Sequence, residues 1–467
     1  MSKPRTLGEL RESGYSVLTV REEMRNNLIK RLANDEPIFP GVLGYEDTVI
    51  PQVENAILSG QDIIFLGERG QAKTRMARSL TTLLDDEVPI VTGSEINDDP
   101  FNPISRNARD LVEEHGDKTP IEWIGHESRY AEKLATPDTT ISDLIGEVDP
   151  IKVAEGRYLS DELTIHYGMI PRTNRGIFTI NELPDLAERI QVGLLNILEE
   201  RDVQIRGYRI RLPLDVYVVA SANPEDYTNR GRIITPLKDR YGSQIRTHYP
   251  ETIDLEMAIM EQERMKFDSE GVEVTVPEYV KEIIADLTHL ARRSNDINQR
   301  SGVSVRMSIA NYENVISNAL KRAIRLHEKT AVPRVSDLQA VVASTTGKIE
   351  LDTLGDDEED RIVQRLLQGA IVSTFNQYFA PHEFEDLILA FENGLTVQAS
   401  DEMPSMEYVH QVSHMDGMRE AAGKLGASGD PAAISSAVEF ILEGLHLSRR
   451  VNKDRSGTRA GAAQYRG

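Results

Sequence analysis

The chain has 467 residues, no cysteine and a net charge of -23 at pH 7. That length calls for two to four domains, the missing thiols exclude disulfides and thiolate metal sites, and the acidic balance argues against broad contact with a nucleic-acid backbone. Hydrophobic residues at 39% and charged residues at 28% are ordinary for a soluble protein. The start, MSKPRTLGEL, lacks the apolar core of a signal peptide, and no apolar run is long enough to span a bilayer. The expectation is a soluble, cytoplasmic protein without membrane contact.

Residues 1–35 read as a charged helical segment, with Leu and Val at helical spacing in GYSVLTVREEMRNNLIKRL. EPIFPGVLGYEDTVIPQVENAILSG is a Pro/Gly loop leading into a helix. QDIIFLG is a short apolar run that stops at Gly67, the shape of a buried strand, and KTRMARSLTTLL follows with helical period. Strand, glycine-bearing loop and helix thus come in the order a phosphate loop requires. GIFTINE and LDVYVVASANP are two more β-branched runs ending in polar residues, with helix-patterned segments between all three. Such alternation predicts an α/β domain over 36–250 with a parallel sheet and a site at the strands' C-terminal ends. From Leu255 the β signals fade. Amphipathic helices fill 251–354, and after LGDDEED a helical extension runs over 355–450. The tail 451–467, VNKDRSGTRAGAAQYRG, reads as disordered. There is no internal repeat.

In the loop, Gly67 and Gly70 let backbone N–H groups turn inward around phosphate oxygens. Lys73 can reach the β- and γ-phosphates, and Thr74 can place its hydroxyl on Mg²⁺. In GIFTINEL the strand ends in Asn181–Glu182. In a P-loop ATPase this strand lies beside the loop, its first polar residue supports the Mg²⁺ shell, and the glutamate orients the attacking water. Asn223, in ASANPED, can hydrogen-bond the γ-phosphate or the water. Each signal has an ordinary reading as a turn or a strand end, and the three in this order and spacing outweigh it.

On these residues the chain resembles the AAA+ ATPases. GERGQAKT, GIFTINE, ASANPED and PLKDRYG look like their Walker A, Walker B, sensor 1 and arginine-finger motifs. The resemblance covers roughly residues 36–350 and is strongest to the branch holding magnesium chelatase subunit I, the MoxR ATPases and the MCM helicases; IPRTNRGIFTINELPDL is similar to the chelatase stretch. It implies an α/β P-loop AAA+ core with a parallel sheet, followed by an α-helical lid and an α-helical C-terminal extension. It implies ATP and Mg²⁺ as cofactors. Gly67, Glu68, Arg69, Gly70, Gln71, Ala72, Lys73, Thr74 and Arg75 would form the nucleotide loop, and Val42, Leu43 and Gly44 part of the adenine pocket. Glu182 would be the catalytic glutamate, Asn223 the sensor 1 residue, Arg240 the arginine finger and Arg306 the sensor 2 arginine; Thr74 and Asn181 would support the metal. Two insertions fit the branch. DPIKVAEGRYLSDELTIHYG stands where it carries a helix-2 insert. RDVQIRGYRIRLP, with Arg201, Arg206, Arg209 and Arg211, alternates like a hairpin and reads equally as a pore element or as a solvated face.

Two positions depart from the simplest pattern. Ala72 replaces a glycine, as it commonly does in MoxR and MCM, and a methyl is tolerated there if φ stays below zero. Asn181 replaces the usual aspartate, keeping an oxygen and losing a charge. The resemblance implies a ring-forming ATPase, a hexamer, that remodels a partner protein, with a companion carrying a von Willebrand A domain. The alternatives are a true magnesium chelatase motor and a slow or non-hydrolysing regulatory subunit. A DNA-directed motor and a transcription activator rank below these, since the charge is strongly acidic and neither a GAFTGA loop nor a helix-turn-helix is recognisable.

Overall fold

Five strands, Ile63–Leu66 (β1), Tyr130–Leu134 (β2), Gly176–Asn181 (β3), Val216–Ala222 (β4) and Ser243–Arg246 (β5), pair into one sheet in the order β5-β1-β4-β3-β2. All four pairings are parallel. The three inner strands, β1, β3 and β4, are apolar because both faces are covered, so successive side chains enter different cores, while the edge strands β2 and β5 carry polar residues. Ile63 and Phe65 of β1 join Met24, Leu28, Met76 and Tyr217 on one face. Ile64 and Leu66 join Phe178, Ile180, Leu194 and Val218 on the other. The computed structural model describes residues 3–149, 162–204, 211–223, 231–267, 271–299, 302–351, 356–455 and 462–467.

The chain divides into two units, Met1–His248 and Tyr249–Gly467. The N-terminal segment expected to stand apart belongs to the first. Thr19 caps the helix Val20–Ala33 through a reciprocal capping box with Glu22, and Val20, Met24 and Leu28 are buried in the core that covers β1. The buried Glu23 carboxylate of this helix pairs with the equally buried Arg129 guanidinium at 2.6 Å.

The segments Asp202–Gln204 and Arg211–Pro213 form the expected hairpin, with Asp202 opposite Pro213. Arg206 and Arg209 lie outside the described residues. Arg201 leaves the proposed basic set: its guanidinium sits 2.5 Å from the buried Asp62 carboxylate, which also takes Arg21 at 2.7 Å. An arginine committed to a buried carboxylate is structural, whatever the hairpin does. The expected helix-2 insert leaves and returns through an antiparallel pair, Gly146–Val148 with Ile165–Tyr167; residues 150–161 between them lie outside the described residues.

In the second unit the expected lid and extension share one core. Val315 and Ile316 of the helix Val305–Arg325, Phe375 of Asp356–Tyr378 and Phe440 of Pro431–Leu447 belong to a single cluster. The tail, expected to be disordered, instead supplies two strands. Asn452–Arg455 and Ala463–Arg466 pair antiparallel, and the latter also pairs with Thr396–Ala399. Composition missed this because Val451, Ala463 and Tyr465 bury themselves in that core, a contact no local window can see. Among the described residues no helix is long and apolar enough to cross a membrane.

Candidate nucleotide site

The loop after β1 turns where its glycines are needed. Gly70 has φ of 78°, and a Cβ on Gly67 would run into Thr247 Oγ1 and Gln71 Oε1. Ala72 was expected to keep φ below zero. Its φ is +54°, in the left-handed region, immediately before the helix Lys73–Ser79. The alanine is therefore accommodated at a cost in strain, of about 1–2 kcal/mol. Lys73 is buried, its Nζ donating to the loop's own carbonyls at Gly67 and, at 2.8 Å, at Glu68. Glu68, Gly70, Ala72 and Thr74 are half-buried, while Arg69 and Arg75 are exposed.

Three residues that sequence reasoning did not single out hold this loop and the strand end facing it. Tyr45 donates its hydroxyl to the Gln71 carbonyl at 3.0 Å and to the His248 carbonyl at 2.8 Å. Burial pushes the Tyr45 phenol well up, so it remains a proton donor. Thr247, just past β5, donates its hydroxyl to the buried Gln71 amide oxygen at 2.6 Å. Tyr45 follows Val42, Leu43 and Gly44 directly, so the expected adenine segment is tied to the phosphate loop by one side chain. Val42 is buried, and Leu43 and Gly44 are half-buried. The third residue is Ser221 on β4. A tyrosine after a glycine and a serine in a strand are too common to be noticed in sequence.

The strand ending in Asn181 was expected to lie beside the loop. In the sheet β4 stands between it and β1. Asn181 nevertheless reaches the loop across β4. Its Oδ1 accepts from Thr74 Oγ1 at 3.4 Å and from Ser221 Oγ at 3.2 Å. Glu182 follows with φ of +55°, and its N–H donates to Ser221 Oγ at 3.3 Å. Asn223, one residue past β4, is 3% exposed. Lys73, Thr74, Asn181, Glu182 and Asn223 thus gather at the C-terminal ends of three adjacent strands.

The two expected arginines fall one in each unit. Arg240 ends the helix Thr235–Arg240 and is paired within its own chain: Nε donates to Glu199 Oε2 at 2.7 Å and Nη1 to the Pro236 carbonyl at 2.8 Å. Arg306 belongs to the second unit, exposed in the first turn of Val305–Arg325.

These residues fit a nucleotide and its metal. Lys73 rests its ammonium on the Gly67 and Glu68 carbonyls, contacts that a phosphate would replace, and the hydroxyl and amide oxygens of Thr74 and Asn181 are hard donors. Among the described residues no three carboxylate or imidazole groups converge into a metal cage.

Comparison with known proteins gives partial matches. The family described as the Sigma-54 interaction domain matches residues 154–237. The acetoin dehydrogenase operon transcriptional activator AcoR of Bacillus subtilis strain 168 is 23% identical over 228 residues, which is 47% of this chain and 30% of that protein. The chain therefore spans about a third of the length of this curated relative. Among solved structures, NtrX of Brucella abortus is 14% identical, with a TM-score of 0.39 over 74% of this chain and 66% of its own. The complex of magnesium chelatase subunits BchI and BchD is 17% identical, with a TM-score of 0.34 over 75% of this chain and 94% of the matched one. At such scores the likenesses speak to neither activity nor partner. The chain has the α/β architecture and phosphate-loop order of an AAA+ core, and ATP with Mg²⁺ is what such a domain uses.

Proposed function

We propose that this protein is an ATP-hydrolysing AAA+ motor that assembles as a ring, a hexamer, and remodels a protein partner. One observation carries the reading: across the intervening β4, Thr74 of the phosphate loop meets Asn181 at 3.4 Å, with Glu182 next in the chain. Lys73 would leave the Gly67 and Glu68 carbonyls for phosphate. Glu182 would orient water, and Asn223 would bond the γ-phosphate or that water. Mg²⁺, when bound, neutralises charge on the phosphate oxygens. Arg240, released from Glu199, would serve a neighbouring subunit's nucleotide, stabilising charge that develops in transfer. Arg306 would do so from the lid.

The wild type should assemble and hydrolyse ATP, whereas Lys73→Ala, Glu182→Gln and Arg240→Ala should each lose about 100-fold or more in kcat. A nucleotide-independent monomer with unaffected variants would sink the reading. Asn181 implies weak metal support. Asn181→Asp should lower the Mg²⁺ concentration for half-maximal ATPase by about tenfold, roughly 1.4 kcal/mol. Coincident Mg²⁺ titrations would show that the missing charge is irrelevant.

A second reading is favoured by the match of residues 154–237 to the Sigma-54 interaction domain and by the similarity to AcoR: activation of transcription. The sequence contains no GAFTGA run. Capture with the Glu182→Gln variant separates the two, since an activator would retain a polymerase sigma subunit and a remodeller of another client would not. A magnesium chelatase motor, with a von Willebrand A companion, is a narrower form of the first reading.

A further inference from the structure

The insertion of β4 between β1 and β3 puts a single hydroxyl at the crossing point of the site. We propose that Ser221 is a positioning residue for hydrolysis, setting both the side chain of Asn181 and the backbone of Glu182. The inference rests on the ATPase reading.

The register brings Ser221 level with Phe65 of β1, while its neighbour Ala220 lies level with Ile180 of β3. Ser221 is therefore the residue of β4 that faces the strand end where Asn181 and Glu182 begin. Its hydroxyl works in both directions, donating to Asn181 Oδ1 at 3.2 Å and accepting the Glu182 N–H at 3.3 Å. At 3% exposure, little water can take over either bond.

Both recipients need such a hold. Glu182 sits at φ of +55°, and a non-glycine residue stays in that region only where its surroundings over-determine it. Its carbonyl accepts from the Asp185 N–H at 2.9 Å, and its own N–H is held by Ser221. If that bond is lost, the glutamate can relax toward an ordinary strand end and its carboxylate turns with it. Asn181 Oδ1, shared between Thr74 and Ser221, is likewise kept on the loop side. A hydroxyl is required because it is donor and acceptor at once; an alanine is neither. Ser221 touches neither phosphate nor water in this account, and acts through the residues that do.

The test compares wild type with Ser221→Ala and Ser221→Thr in the full chain. In the nucleotide-free protein, amide hydrogen exchange at Glu182 should be about tenfold faster in Ser221→Ala and near wild type in Ser221→Thr. In steady-state ATPase assays, Ser221→Ala should lose about tenfold in kcat, with KM for ATP within about twofold and thermal stability little changed. Ser221→Thr should recover most of kcat. Unchanged Glu182 exchange and kcat in Ser221→Ala would overturn the proposal. So would an equal loss of kcat and melting temperature in both variants, the mark of a purely structural residue. If the wild type hydrolyses no ATP, the functional reading fails on its own, and exchange at Glu182 still reports whether Ser221 holds that residue.

Discussion

Around Arg334 in the second unit a fully buried guanidinium meets Ser435 Oγ at 3.0 Å, the Met403 carbonyl at 2.8 Å and Ser405 Oγ at 2.7 Å, and lies over the Tyr408 ring. Nearby, Glu439 accepts from the Tyr408 hydroxyl and the Ser336 N–H, and Asp337 takes Arg322. The phosphate-loop end of the sheet is made differently. There Ala72 and Glu182 both occupy the left-handed region, and a buried ammonium rests on carbonyls that a ligand would replace. One region pairs most of its polar groups within the fold, leaving Arg322 Nε and Ser336 Oγ without a hydrogen bond, and the other holds strain and replaceable contacts. The contrast is what separates a structural polar network from a site prepared for a ligand.

The contrast breaks most visibly if the second unit is cut at its centre. Arg334→Ala should destabilise that unit by about 3–5 kcal/mol, because it strands buried partners; calorimetry of the full chain reads this. A loss below about 1 kcal/mol would mean that the network is dispensable. At the loop the opposite sign is expected. Ala72→Gly removes about 1–2 kcal/mol of left-handed strain and adds about 0.4–1 kcal/mol of unfolded-state entropy. The net is roughly 0.5–1 kcal/mol of stabilisation, a rise of about 2 °C in Tm. A lower Tm would remove the claim of strain.

A comparably small effect concerns acid. Burial pushes the Glu261 carboxyl up, but the Tyr312 hydroxyl, Arg264 and Lys281 together hold it down to about 2. A depressed carboxylate contributes stability above its unfolded value, near 4.5, that is lost as pH falls toward 2. Because the group is partly exposed, about 1 kcal/mol is the scale. Urea unfolding between pH 5 and pH 2.5 should show a shallower loss in Glu261→Gln than in wild type; parallel curves would exclude the contribution.

Much of the first unit was legible because its signals are local. A β-branched run ending at glycine, followed by Lys73–Thr74 and a helix, is short enough to read as strand, loop and helix, and it forms those elements. Asn181–Glu182 and Asn223 could be placed at strand ends for the same reason. The tail could not be read, since its Gly/Arg-rich composition predicts disorder while Tyr465 finds Glu443 inside the core, hydroxyl to carboxylate at 2.6 Å. The pairing of Arg240 with Glu199 was hidden for a related reason: the partners are 41 residues apart. Arg201 was misread because its charge was visible and its buried partner, Asp62, was not.

By itself, then, the sequence determined the chemistry on offer: a phosphate loop, an amide where a carboxylate is usual, and a glutamate after it. Local periodicity and residue type decide that much, since they act within a few positions. Only the tertiary structure decided that β4 lies between the two motif strands and that Ser221 joins Asn181 to Glu182. It also decided that Ala72 turns left-handed. Strand order and backbone strain are set by packing among segments far apart in the chain, and no single stretch of residues contains them.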